Sequence, residues 1–199
     1  MNMVYNNLCE FAKPSLKTKL RRVLFGLTVP MKKNNNANLI ATAGITAALY
    51  VVLTLVSAVF GLASGVIQVR ISEALCVLPL FTTAAIPGLA VGCFIANLVS
   101  GCVVLDAVFG ALATLAAAAV TCLVGKTVTN KVARYALAPL ANVVANTLTV
   151  PWVLKLVYGE SGALWYFAVT VCMGEIVSSY LLGIPLTILL EKHKKHIFK

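Results

Sequence analysis

Residues 74–105 read ALCVLPLFTTAAIPGLAVGCFIANLVSGCVVL, thirty-two residues without a charge, bounded by Glu73 and Asp106. A helix rising about 1.5 Å per residue needs about 20 apolar residues to cross a bilayer. The run is too long for one crossing and too short for two full ones, and Pro79, Pro87 and Gly88 interrupt it. Two crossings fit if one is short or starts before Glu73, which brings Arg70 and Glu73 to helix level.

On either side the pattern is simpler. Residues 39–60 form an uncharged run of spanning length, after which Gly61, Ser64 and Gly65 break it. Residues 104–125 form a further span that ends at Gly125-Lys126. Residues 135–158 form the next, with Pro139 and Pro151 inside, and residues 163–190 the last, with Pro185 near its end. The sum is six spans and an all-α integral membrane protein. Composition agrees: 199 residues are 60% hydrophobic and 11% charged, with a mean hydropathy of +0.95, whereas soluble domains are about 25% charged.

The net charge of +10 raises nucleic acid as a partner, and its distribution argues against it. Seven of sixteen Lys and Arg precede residue 34, three (Lys126, Lys131, Arg134) share one short loop, four lie in the tail, and only Arg70 and Lys155 remain. With six spans both termini and the 126–134 loop share one side. Fourteen basic residues then lie inside and two outside, as the positive-inside rule requires. The expected organisation is a basic cytoplasmic extension over 1–37, a six-helix transmembrane domain over 38–191 and a basic cytoplasmic tail over 192–199. Residues 1–30 are polar and basic, and Met31-Lys32-Lys33 before an apolar span reads as a natural start. The stretch 23–29 is too short for the apolar core of a cleaved signal.

Topology places the polar residues. The chain has only six carboxylates, and Glu73, Asp106 and Glu175 lie in or beside apolar spans, with Glu160 close by. A charge at bilayer depth is costly and tends to persist where it faces a cavity or ligand. Glu73 begins the second span from outside, Asn97 ends the third, Asp106 opens the fourth, and Asn146 lies in the outer half of the fifth with Asn142 one turn deeper on the same face. Glu175 lies about two turns into the last span. Together with Arg70, these residues predict a pocket open to the outside. Arg70 and Glu73, three apart, could instead form a structural ion pair, and Lys155 could pair with Glu175 or Glu160. Trp152, Trp165 and Tyr166 could stack a flat heterocycle or belong to an interfacial aromatic belt.

Several chemistries lack their parts. The six cysteines have no CxxC or zinc spacing, so no metal is expected, and inside apolar runs thiols act as small hydrophobes. Gly125-Lys126-Thr127 resembles the end of a phosphate-binding loop, but Val120 occupies the position that needs glycine. Both histidines, His193 and His196, lie in the tail and Asp106 is the one aspartate, so intramembrane proteolysis has no catalytic set. No enzyme activity and no cofactor are expected. The first span carries small residues at four-residue spacing, Ala43 with Ala47 and Gly44 with Ala48, the pattern that lets helices approach closely in lipid. It is also a pattern common to membrane helices generally.

The stretch Val69-Arg70-Ile71-Ser72-Glu73-Ala74-Leu75-Cys76-Val77-Leu78-Pro79-Leu80-Phe81-Thr82 resembles the central motif of the QueT family. So do Ala84-Ala85-Ile86-Pro87-Gly88-Leu89, Gly92-Cys93, Ala96-Asn97, the run Asp106 to Leu115, and Gly174-Glu175. Cys76 and Thr83 depart from the Thr and Pro of that motif. The resemblance covers about 38–190. It implies a substrate-binding S component of an energy-coupling factor (ECF) transporter: a six-helix bundle in the bacterial cell membrane, a ligand pocket near the outer face, and partners consisting of a transmembrane scaffold subunit and two cytoplasmic ATPases. It implies docking through the small-residue stripe Ala43, Gly44, Ala47 and Ala48, a lid at 61–70, toppling in the membrane, and uptake of a deazaguanine precursor of queuosine. Ligand recognition would fall to Glu73 and Glu175, hydrogen bonds to Asn97, Asn142, Asn146 and Arg70, and stacking to Trp152, with Asp106 in second rank. Queuine, the aminomethyl and the nitrile precursors all stay open. So do an S component for another vitamin or nucleobase and a carrier outside the ECF class.

Overall fold

The computed structural model describes residues 35–62 and 69–197, and all the regular structure described is helical. Helix α1 (Asn35–Val59) is followed by a 3₁₀ helix (Ile71–Leu80), α2 (Ala85–Val99), α3 (Val104–Thr127), α4 (Lys131–Leu156), α5 (Leu164–Ile176), a π turn (Val177–Leu182) and α6 (Gly183–Ile197). Four helices are long and apolar enough to cross a membrane: Asn36–Val59, Val104–Thr127, Lys131–Leu156 and the continuous Leu164–His193. The expected extension 1–37 lies almost wholly outside the described residues, and the expected lid 61–70 does so over 63–68. The expected tail at 192–199 begins within α6, which runs on to Ile197.

The uncharged run 74–105 resolves into two short helices. The first starts before Glu73, which puts Arg70 at its N-cap. Ten residues of 3₁₀ helix rise about 20 Å, against about 15 Å for the same residues in α form. Pro79 contributes no N–H to any longer α ladder. This helix is the hub of the bundle. It packs against α2, α3, α4, the π turn and α6, and α1 bonds to it where Thr54 Oγ1 donates to Ser72 Oγ at 2.8 Å and the Ile71 N–H donates to Ser57 Oγ at 2.9 Å.

Small residues bring α1 and α2 together. A Cβ on Gly88 would lie 2.6 Å from the Ala43 carbonyl oxygen, and one on Gly92 3.0 Å from the Ala47 Cα. Ala43 and Ala47 are thus taken up inside the bundle, while Gly44 and Ala48 are exposed. The apolar core beside this contact comprises Tyr50, Leu75, Cys76, Leu89, Cys93, Ala96 and Ala118. The π turn lies just before Pro185, which has no N–H to return to the Leu181 carbonyl. Such turns widen a helix locally and recur at functional sites.

Candidate functional site

A cavity of about 300 Å³ opens between the 3₁₀ helix, α2, α3, α4 and α5. That volume is at the lower end for small-molecule pockets. Its polar lining includes Arg70, Glu73, Asn97, Asp106, Asn146, Glu160 and Glu175. Val150, Val153, Leu154, Phe167 and Val171 supply apolar wall.

Glu73 and Glu175 are 2% and 9% exposed and are held by one shared amide. Asn142 Nδ2 lies 2.9 Å from Glu73 Oε2, 2.9 Å from Glu175 Oε2 and 2.9 Å from Ser179 Oγ. An amide nitrogen has two protons, so these three acceptors share two donors. Asn146 Nδ2 donates to the other oxygen of Glu175 at 2.8 Å. The Tyr50 hydroxyl donates to Glu73 Oε1, and Cys76 Sγ stands 3.3 Å from Glu73 Oε2. The 3₁₀ geometry aids this last contact, because residues three apart eclipse.

Arg70 turns its guanidinium across the cavity, where Nη1 donates to Asn97 Oδ1 at 2.8 Å. Its backbone N–H donates to Ser178 Oγ at 3.1 Å, which ties the head of the 3₁₀ helix to the π turn. Gly110 leaves room for Asn97, since a Cβ there would stand 2.9 Å from Asn97 Nδ2. At the rim the Tyr158 hydroxyl donates to Asp106 Oδ2 at 2.8 Å and receives the Val103 N–H at 3.3 Å. Partial burial and the Asp106 carboxylate push the Tyr158 phenol up to about 12.

Of the residues expected at the site, Arg70, Glu73, Asn97, Asp106, Asn146 and Glu175 line the cavity. Asn142 is fully buried beside it and fixes both glutamates. Trp152 is placed elsewhere. It is 53% exposed and off the cavity wall, because α4 presents Asn146, Val150, Val153 and Leu154 inward and a 100° step per residue turns position 152 away. The rings that reach the cavity are Tyr158 and Phe167. Lys131 pairs with Glu191 at 3.9 Å, and among the described residues Lys155 forms an ion pair with neither Glu175 nor Glu160. Ser179, one turn beyond Glu175, could have been read from spacing, whereas nothing in sequence marks Tyr50 as a donor to Glu73.

The family model described as "QueT transporter" matches residues 40–192. The chain belongs to the QueT transporter family. This is a family of transporters, not of enzymes. A relative named "Queuosine precursor transporter QueT", from Lactococcus lactis subsp. cremoris (strain MG1363), is 38% identical over 85 residues. That stretch is 43% of this chain and 49% of the relative, so the match spans about half the relative's length. No solved structure matches the chain. The QueT match includes every cavity-lining residue named above and both sides of the α1–α2 contact.

Proposed function

We propose that the chain is the substrate-binding S component of an ECF transporter, taking up a deazaguanine precursor of queuosine across the bacterial cell membrane. The observation that carries the reading is the cavity in which Glu73 and Glu175 are held side by side by Asn142, with Asn146 and the Arg70–Asn97 pair on the same wall. Paired N–H donors on a guanine-like edge suit a carboxylate, which accepts two at once. The base carbonyl suits Arg70 or Asn97. Phe167 and Tyr158, rather than Trp152, take the flat faces of the ring system.

In this reading all six helical segments cross the bilayer, both termini are cytoplasmic and the cavity opens outward. The family's small-residue docking stripe falls to Gly44 and Ala48, because Gly88 and Gly92 already occupy Ala43 and Ala47. A transmembrane scaffold and two ATPases complete the transporter.

The test is titration of the purified chain with queuine, the aminomethyl and nitrile deazaguanines, guanine and riboflavin. Binding of a deazaguanine without riboflavin, lost in both Glu73→Ala and Glu175→Ala, is the expected result. Undiminished binding in both variants removes the pocket assignment, and riboflavin binding in preference to every base removes the substrate class.

A further inference from the structure

Two apolar grooves run along α4 on the outside of the bundle, and neither shares a residue with the ligand cavity. One, of about 340 Å³, follows the seam with α3, where Ala117 and Ala141 leave room. The other, of about 650 Å³, follows the seam with α5 and reaches Val143 and Ile176. Leu140 and Val144 line both grooves and are exposed, so they form the ridge between them. Both α3 and α4 are long and apolar enough to cross a membrane, so the grooves open onto hydrocarbon.

One end of this ridge is basic. Lys126 lies in the last turn of α3, and Lys131 and Arg134 lie in the first turn of α4. Lys126 and Lys131 are exposed. Arg134 donates from Nε and Nη2 to the Val128 carbonyl at 3.3 and 2.8 Å. A guanidinium has five N–H donors, so Arg134 keeps others to offer an anion. The positive end of the α4 dipole adds to this charge. Of the five carboxylates among the described residues, four line the ligand cavity, and the fifth, Glu191, pairs with Lys131 at 3.9 Å. From Arg134 to Val144 the helix rises about 15 Å, half of the roughly 30 Å hydrocarbon core. The ridge therefore lies within the leaflet that holds the basic end.

We propose that α4 carries a site for one anionic diacyl phospholipid of that leaflet. Its phosphate sits among Lys126, Lys131 and Arg134, and its two acyl chains lie on either side of the Leu140–Val144 ridge. Charge complementarity selects the headgroup, as it does at basic pockets beside other membrane helices. The pair of grooves suits two chains better than one. A second copy of the chain suits the face less well. Copies in one membrane share an orientation, so a two-fold contact along α4 would set each basic cluster near its twin.

The experiment is native mass spectrometry of the full chain from mixed micelles containing dioleoyl phosphatidylglycerol or dioleoyl phosphatidylethanolamine, which share their acyl chains. One phosphatidylglycerol should be retained per chain, with a preference on the order of 30-fold. That is the scale of two basic groups at a membrane surface, with Lys131 discounted for its Glu191 partner. Lys126→Gln combined with Arg134→Gln should reduce the preference to a few-fold. If the lost Val128 contact prevents folding, Lys126→Gln with Lys131→Gln should lower it in the same direction. Ala141→Phe fills one groove and should weaken retention of both lipids. Equal retention of the two lipids, or a preference that survives the charge variants, overturns the proposal. So does unchanged retention in Ala141→Phe, or a dimer that Ala141→Phe separates, which would give the face to a second copy.

Discussion

Asn142 bridges the two buried glutamates of the site. Two buried carboxylates accept from its side-chain nitrogen, each at 2.9 Å. Replacing it with alanine strips a donor from both at once, and uncompensated buried charge is among the costliest of single changes. Asn142→Ala should lose about 3 kcal/mol of stability, seen as a lower unfolding midpoint in detergent. An unchanged midpoint would mean that the two glutamates do not depend on the bridge. This part of the site was legible because a charge or amide stands out in an apolar run, so Glu73, Glu175, Asn142 and Asn146 could be picked from sequence. Their partners could not. Tyr50 looks like any aromatic in a membrane helix, and its role depends on the 3₁₀ helix that brings Glu73 to it. Trp152 misled for the converse reason: a tryptophan near a helix end suits a ligand wall and a lipid interface equally well, and only the register of α4 decides.

At the scale of elements the contact between α1 and α2 is governed by two glycines. A methyl on Gly88 would meet the Ala43 backbone at 2.6 Å, where no flexible side chain can give way. Gly88→Ala should therefore push the helices apart at a cost of about 1–3 kcal/mol, whereas Gly44→Ala meets nothing within 4 Å and should be tolerated. Equal midpoints for the two variants would contradict this packing. The rim offers a kinetic counterpart. Tyr158, followed by Gly159 at φ +68, joins the α4–α5 loop to Asp106. Tyr158→Phe keeps the ring and removes that bond, so ligand should enter and leave several-fold faster in stopped-flow measurements, with a smaller change in affinity. The sign with pH follows from a phenol raised from 10 to about 12. The bond contributes fully below pH 10 and is lost as pH rises through about 12. The long helices were readable from apolar runs of spanning length, each with at most one charge. The 3₁₀ helix was not, since ten mostly apolar residues, seven of them buried, carry no period that separates it from an α-helix.

Among the described residues most large apolar side chains face outward, while many small and polar ones are buried. Ile45, Leu49, Val52, Leu112, Leu148, Trp165 and Leu181 are exposed, while Thr46, Thr54, Thr114, Thr121, Asn142 and Ser179 are buried. In lipid there is no hydrophobic gain from burying leucine, and close packing of small residues with internal hydrogen bonds takes its place. That inversion lets a cavity with four carboxylates exist in a chain that is 60% hydrophobic. It also makes orientation depend on the charges at the two ends of the bundle. Lys126 lies in the last turn of α3 and Lys131 and Arg134 in the first turn of α4, and Glu160 with the cavity rim lies at the opposite ends of those helices. Positive charge resists translocation, so the cavity rim should face outward. In a background with all six cysteines replaced, Ser161→Cys in intact cells should react with a membrane-impermeant maleimide. Lys131→Cys should react only after permeabilisation. The reverse pattern would place the cavity mouth in the cytoplasm and would rule out uptake by capture from outside.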